Sequence, residues 1–229
     1  MALSEAKFPS PAEAAGQRLR MSYEEYLTWA EGAVHAEWKD GEVTVSMPIK
    51  DRHQRVLELL YLVMGLFVHH HHSGLLRLLP FEVRLGPGGP SREPDIFFVA
   101  NEHLDRLSDD RFVGGPDLVV EIISDDSVTR DYRVKRQEYQ AAGVSEYWIV
   151  DPRPRHHRAE FYRLGQNGQY TLAGPDAAGI IQSEVLPGFW WQVSWFWESP
   201  APSPLALLTT IMESLPEDKP TAAPSTDGQ

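Results

Sequence analysis

The first half of the chain carries a helical spacing of apolar residues. From residue 51 to residue 72, apolar side chains recur three and four positions apart, at Val56, Leu59, Leu60, Val63 and Phe67. This spacing predicts one long helix with Asp51 as its cap. Upstream, Ser22 and Glu25 match a capping box and predict a short helix that ends near Ala30. Asp40-Gly41 lies between two extended runs and predicts a tight hairpin, because both turn positions favour positive φ.

After Gly74 the spacing becomes that of strands. Residues 75–85 and 94–99 predict two strands, which a loop rich in glycine and proline separates. Residues 117–124, with the sequence DLVVEIIS, are almost continuously apolar, which is typical of a strand that is covered on both faces. Residues 130–142 predict a helix that ends at Gly143.

The last third of the chain predicts more strands. Residues 146–150 are one short candidate, and residues 158–193 are a series of short candidates with turns between them. The core order is therefore helix, three strands, helix and strand. It predicts an α/β fold in which a mixed β-sheet is flanked by helices, with additional β-strands at the C-terminal side. The Trp-rich stretch from Trp190 to Trp197 predicts core or a dimer interface, and we expect a homodimer.

Composition divides the 229-residue chain into one domain and two tails. Residues 1–20 are rich in Ala, Pro and Ser and predict a flexible leader. Residues 199–229 predict a disordered tail rich in Pro and Ala, most clearly from residue 216 onward, so the domain would span residues 21–198. The chain has no cysteine, no signal-like N-terminus and no apolar run of about 20 residues. We therefore expect a cytoplasmic protein that does not cross a membrane.

The net charge of −12 excludes a generally basic protein that coats nucleic acid, because phosphate binding depends on Lys and Arg. It does not exclude a nuclease. A metal site needs clustered carboxylates, and a basic groove can be confined to one part of the surface.

Three charged residues stand where a core strand or its neighbouring helix would favour other side chains. Asp95 opens the strand PDIFFV, Glu121 is flanked by Val and Ile inside DLVVEIIS, and Lys135 lies on the helix that follows. A carboxylate in a buried strand is costly unless it is paired or binds a cation. Two carboxylates with a nearby carbonyl suit Mg²⁺ or Mn²⁺. A neighbouring Lys would orient or deprotonate a water and stabilise charge on a phosphoryl oxygen, so these residues predict phosphodiester hydrolysis.

The same segments resemble the Uma-type restriction endonuclease family of the PD-(D/E)XK nuclease superfamily. The resemblance rests on REPDIFFV, GPDLVVEIIS and DYRVKRQEYQAAGVSEYWIVDP, and it covers about residues 21–196. It implies a restriction-endonuclease-like mixed sheet and an endonuclease that hydrolyses phosphodiester bonds in DNA. It also implies Mg²⁺ or Mn²⁺ as the cofactor and nucleic acid as the partner.

The motif of the family implies which residues form the metal site and the catalytic site. Asp95 takes the position of the motif Asp and Glu121 that of the (D/E) residue, with the carbonyl of Ile122 as a further metal ligand. The motif Lys would stand two residues after Glu121, where this chain has Ile123. The resemblance therefore implies that Lys135, on the following helix, takes the role of the motif Lys.

Two upstream residues complete the set. Glu37 corresponds to an acidic residue that often completes such sites, and His53 to a recurrent His at the start of the first core helix. Both would support catalysis, Glu37 as a possible extra metal ligand and His53 in proton transfer or phosphate contact.

Each residue also has a structural interpretation. Glu121 would form a buried salt bridge with Lys135 or Arg133. Lys135 would equally belong to a solvated ion-pair face with Asp131 and Glu138. In that case the chain would be a non-enzymatic module that binds nucleic acid or protein through a decayed site. RNA is an alternative substrate, because a fold does not determine a substrate.

Overall fold

The computed structural model describes residues 8–10, 13–30, 35–45, 49–125 and 127–216. Its strands within these ranges are β1 Arg18–Arg20, β2 Ala36–Lys39, β3 Glu42–Val45, β4 Gly74–Leu78, β5 Glu82–Arg84, β6 Ser91–Arg92, β7 Ile96–Ala100, β8 Arg111–Val113, β9 Leu118–Ile122, β10 Glu146–Asp151, β11 Arg158–Leu164, β12 Tyr170–Ala173, β13 Ile180–Gln182 and β14 Trp190–Gln192. The α-helices there are α1 Tyr23–Trp29, α2 Asp51–His71, α3 Arg136–Ala141 and α4 Pro204–Glu213. Short 3₁₀ segments occupy Asn101–Arg106 and Val193–Phe196, and a π-helical segment occupies Arg130–Lys135.

The central sheet has the strand order β12-β11-β10-β9-β7-β4. Strands β9 and β10 are parallel, and the other neighbours are antiparallel. Alternate residues of β9 face opposite sides. Val120 and Ile122 pack in a core with α2 and α4, whereas Val119 packs with Tyr139 of α3. The predicted mixed sheet with helices on both faces is thus confirmed, and the double coverage explains why residues 117–124 are almost continuously apolar.

A second sheet, with the order β1-β3-β2-β6-β5-β8, lies beside the central one. Residues of β5 and β8 share the core that contains Val119 and Tyr139. The β2–β3 hairpin turns at Asp40 and Gly41, whose φ angles are 48° and 82°, as its sequence predicts. The capping box is also confirmed, since the side chain of Ser22 accepts from the N–H of Glu25 and the Glu25 carboxylate accepts from the N–H of Ser22.

Two predicted elements differ in detail from the structure. The segment 75–85 was predicted as one strand but forms β4 in the central sheet and β5 in the second sheet, with Pro80 between them. Proline has no N–H for a sheet ladder, so the strand ends there. Helix α2 begins at Asp51 with Lys50 in the N-cap position, so the prediction that Asp51 caps it was wrong.

Both predicted tails contain ordered structure. Arg18–Arg20 of the predicted leader pairs with β3 as an edge strand. Within the predicted disordered tail, Pro204–Glu213 forms α4, whose Leu207 and Ile211 are buried in the core with α2. The apolar spacing of α4 is hidden in a segment dominated by Pro, Ala, Ser and Thr. Residues 217–229 lie outside the described ranges.

The C-terminal aromatic residues belong to the core, as one of the two interpretations predicted. Trp191 is fully buried, and Trp190, Trp195 and Trp197 are partly buried against the core. No helix in the described ranges combines the length and the apolar character that a bilayer crossing requires.

Because α4 is part of the domain, truncating its buried face should destabilise the whole protein. We expect Ile211→Ala to lower the free energy of unfolding by about 2–5 kcal/mol, the usual cost of removing a buried aliphatic side chain. Leu205→Ala, on the exposed face of the same helix, should change it by less than about 0.5 kcal/mol. Urea denaturation followed by circular dichroism measures both, and equal effects would contradict the assignment of α4 to the core.

Candidate active site

Asp95 and Glu121 come together because of the register of two antiparallel strands. Ile96 of β7 pairs with Val120 of β9, so Asp95 stands one step beyond the strand, opposite Glu121. The backbone N–H of Ile122 donates to Asp95 Oδ2 over 2.6 Å and fixes that carboxylate at the edge of the sheet. Directly opposite residues share one face of an antiparallel pair, so both carboxylates lie on the face that carries α3.

Lys135 lies over this face and forms ion pairs with Glu121 and Asp131. Its Nζ is 2.9 Å from Glu121 Oε1 and 3.4 Å from Asp131 Oδ1. The two partners come from β9 and from the π-helical segment that begins at Arg130. The predicted helix 130–142 therefore starts as a π-helix and continues as α3, and Asp131 and Lys135 both point inward. The solvated ion-pair face is not observed, because both side chains are buried.

Glu37 reaches the same ammonium group from the second sheet. Its Oε1 lies 2.8 Å from Lys135 Nζ, and its Oε2 lies 3.6 Å from Arg92 and 3.7 Å from Arg130. Lys135 thus joins β2 of one sheet to β9 of the other. Glu37 is therefore a buried residue of the site rather than an exposed residue of the hairpin.

His53 approaches from the first turn of α2. Its Nε2 is 3.2 Å from Asp95 Oδ1, while its Nδ1 is buried and has no hydrogen-bond partner within the described residues. A ring that donates from Nε2 to Asp95 leaves a lone pair on Nδ1. His53 is therefore a buried imidazole with one unused acceptor.

A small cavity of about 30 Å³ lies among these groups. It is lined by His53, Asp95, Glu121, Asp131 and Lys135, together with Arg130. A space of roughly 10–15 Å³ already holds one water molecule, so the cavity has room for a water or a small ion. The structure brings Asp95, Glu121, Lys135, Glu37 and His53 into one buried site, and none of these residues exceeds 5% exposure.

The charge balance of the site gives its carboxylates opposite pKa shifts. Burial and the neighbouring carboxylates of Asp131 and Asp95 raise the pKa of Glu121 to about 8, although Lys135 opposes the shift. Burial also favours neutral Glu37, but the cations of Lys135, Arg92 and Arg130 outweigh it and hold the pKa of Glu37 far below its usual range. The site therefore pairs one carboxylate that stays ionised with one whose ionisation is costly.

Lys135 remains charged. Burial disfavours its ammonium form, yet Glu121, Glu37 and Asp131 outweigh burial and raise its pKa above the usual range. A lysine with a raised pKa does not accept a proton near neutral pH. Of the two roles predicted for Lys135, orienting a water or deprotonating it, the charge state favours the first.

Several residues of the site escaped the sequence argument. Asp131 was interpreted only as a partner in a surface ion pair, although its Oδ1 is buried without a hydrogen bond from the described residues. Tyr139 donates to Glu121 Oε1 over 2.7 Å. Arg92, three residues before Asp95, is buried against Glu138 and Glu37. Arg92 is the first residue of REPD, but the sequence does not determine the direction in which its side chain points.

The donor set fits a hard divalent cation in composition. Asp95 and Glu121 offer carboxylate oxygens, and Ile122, whose carbonyl is the predicted further ligand, directly follows Glu121 and lines the same cavity. Within the described residues no three His, Asp or Glu side chains form a ready-made metal cluster. Mg²⁺ commonly uses one or two carboxylates and keeps several waters, so two carboxylates are sufficient for it.

Comparison with known proteins agrees with this fold. The fold is that of a restriction-endonuclease-like α/β protein. A crystal structure described as that of "a putative nuclease belonging to DUF820", from Anabaena variabilis, matches it with a TM-score of 0.59. That match has 17% sequence identity and covers 83% of this chain and 99% of the other. The sequence model of the Uma2 family, described as "Putative restriction endonuclease", matches residues 23–194, and the chain belongs to this family. A search of curated proteins found no significant match.

The buried ammonium should be essential for stability. We expect Lys135→Met to lower the free energy of unfolding by about 3–5 kcal/mol, because it leaves Glu37 and Glu121 buried without their cation. Arg133→Met, on an exposed position of the same segment, should change it by less than about 0.5 kcal/mol. In urea denaturation, a loss below about 1 kcal/mol for Lys135→Met would show that the ion pairs contribute little.

The raised pKa of Glu121 gives stability a pH dependence of known sign. A carboxyl whose pKa is higher in the folded than in the unfolded state favours folding at low pH, and this contribution is lost as pH rises from about 4.5 through about 8. In EDTA, Glu121→Gln should therefore gain stability relative to the wild type, by at least about 1.4 kcal/mol between pH 6 and 9. Thermal unfolding across this range measures the difference.

Glu102→Gln provides the matched control, since it removes one exposed carboxylate beyond the far end of β7. Its pH profile should follow that of the wild type. If the stability of Glu121→Gln also changes with pH in parallel with the wild type, the result would contradict the raised pKa of Glu121.

Proposed function

We propose that the protein is a divalent-metal-dependent endonuclease that hydrolyses phosphodiester bonds, with DNA as its substrate. The observation that carries the proposal is the convergence of Asp95, Glu121 and Lys135 on one cavity at the edge of the central sheet. Membership of the Uma2 family supports the reaction class. The preference for DNA, the metal, a cytoplasmic location and the homodimer remain predictions.

In this proposal Asp95 and Glu121 hold Mg²⁺ or Mn²⁺, with the carbonyl of Ile122 as a third ligand. The ion would supply Lewis acidity and a water of lowered pKa. A bound cation would also offset the free-energy cost of ionising buried Glu121, because a nearby positive charge favours the ionised form. Metal affinity should consequently increase with pH toward the pKa of Glu121, since protons compete for the same oxygens.

The other residues act on the proton and on the phosphoryl charge. Lys135 is a fixed cation that orients water and stabilises the charge on a phosphoryl oxygen. Its position depends on Glu37 and Asp131, which contact the same ammonium from two other elements. The Nδ1 of His53 accepts a proton from water, while Asp95 fixes the ring through Nε2.

Cleavage assays on conservative variants test the proposal. We expect the wild type to cut plasmid DNA with Mg²⁺ or Mn²⁺ and not with EDTA. Asp95→Asn and Glu121→Gln should each lower the rate by more than about a hundredfold, because each removes a ligand of the activating cation. Glu102→Gln should cut like the wild type, and a cooperative thermal unfolding transition would show that each variant is folded.

One observation favours the alternative, a binding module without catalysis. Lys135 bridges Glu37 and Glu121 directly, and the described residues contain no cluster of three metal-binding side chains. If the ion pair replaces the metal, calorimetric titration with Mn²⁺ will show no binding that depends on Asp95, and no metal will support cleavage. The cleavage assay on single-stranded RNA distinguishes a ribonuclease from both the DNA endonuclease and the binding module.

A further inference from the structure

A second and larger depression of about 510 Å³ adjoins the small cavity of the active site. We call it the basic groove. Its charged lining residues are Arg18, Arg20, Lys39, Asp40, Glu42, Arg92 and Arg130. Five cations face two carboxylates in a chain whose net charge is −12, so the groove is a local reversal of the overall charge.

The basic groove and the active site share Arg130, which lines both cavities. One wall comes from β1 and the β2–β3 hairpin, and the other from Thr129, Arg130 and Val134 of the segment that carries Lys135. A ligand that lies along the groove would therefore end at the site that holds Asp95 and Glu121.

The cations of the groove differ in how tightly they are held. Arg92 is buried and bound to Glu138, and Lys39 also binds Glu138, so both are fixed charges in the wall. Arg18 pairs with Glu42 in an exposed contact at 2.9 Å, which contributes little and is easily exchanged for a ligand. Arg20 is exposed and makes no ion pair with the described residues.

Arg18 and Arg20 form a short row of charge. They stand two positions apart on the edge strand β1, so their side chains share one face and lie about 7 Å apart. Measured along the helix axis, this distance corresponds to about two nucleotide steps of one strand of a duplex. A row of exposed Arg on a rigid strand suits a repeating anion.

We propose that the basic groove binds the phosphate backbone of the nucleic-acid substrate and leads the strand to the active site. The inference rests on the proposed function and deepens it, because it assigns the substrate surface to residues outside the predicted site. Recognition would be through charge, so it would not depend on base sequence. The fixed Arg92 and Lys39 set the field of the groove, and Arg18 and Arg20 make the exchangeable contacts.

Binding of a labelled DNA duplex to the full chain, measured by fluorescence anisotropy in EDTA over a range of salt, tests the proposal. Arg20→Gln should weaken binding to unrelated sequences equally and reduce the slope of log affinity against log salt by about one. The double variant Arg18→Gln with Arg20→Gln should reduce it by about two. Both substitutions are on exposed positions, and thermal unfolding checks that the fold is intact.

Arg106→Gln is the matched control, since Arg106 is an exposed arginine beyond the C-terminal end of β7, whereas Asp95 lies at its N-terminal end. Its affinity and salt slope should equal those of the wild type. If Arg20→Gln binds like Arg106→Gln while the wild type still cuts DNA, the groove proposal fails and the nuclease proposal stands. If the groove variants lose binding but no protein cuts, the groove proposal stands and the nuclease proposal fails. A wild type that neither binds nor cuts nucleic acid overturns both.

Discussion

The ammonium group of Lys135 is the interaction on which the site depends. It lies in the interior, within 2.9 Å of carboxylates from two different sheets, and within 3.4 Å of a third on its own helical segment. A buried cation is tolerated only where such partners compensate for lost hydration. The same contact therefore determines how β2, β9 and the π-helical segment meet, and it leaves an excess of carboxylates around a small cavity. We propose a metal ion as the complement to that excess. Membership of the Uma2 family supports a nuclease.

The chain resolves a conflict between its overall charge and its proposed substrate by separating charges in space. Its net charge of −12 opposes a general affinity for nucleic acid. Acidic residues are nevertheless useful where they are buried around the cavity, and basic residues are concentrated in the adjoining groove. This separation of charge would keep the affinity for nucleic acid weak except where a nucleic-acid strand passes the candidate active site.

Sequence reasoning reached the fold class and two of the five residues that meet in the site, because a carboxylate inside an apolar strand is unusual at any position. Glu121 stood out for this reason, and Asp95 followed from its place before the next strand. Lys135 depended on a family resemblance, since an i, i+4 spacing with Asp131 fits a surface helix equally well. Glu37 and His53 followed from the same family resemblance. Whether Asp131 and Lys135 face water or the interior depends on the π-helical turn and on the contact with β2. No local sequence pattern indicates either feature. Helix α4 was missed for a related reason, because its apolar face is meaningful only against α2.

The division of residues 75–85 between two sheets was also beyond local pattern. Each half has the apolar character of a strand, and only the partners of β4 and β5 distinguish them. This division matters for function. It places β5 in the sheet of the β2–β3 hairpin, where β6 lies between β5 and β2. Glu37 of this hairpin reaches Lys135, and the hairpin also forms one wall of the basic groove.

The most direct test of this account is a crystal structure determined after soaking with Mn²⁺ at about pH 8, with anomalous scattering recorded to locate the ion. The account predicts an anomalous peak between Asp95 and Glu121, with carboxylate oxygens at about 2.0–2.6 Å from the ion. A fully folded protein with no anomalous peak there, and with Lys135 still bridging Glu37 and Glu121, would contradict the assignment of this cluster as a metal site.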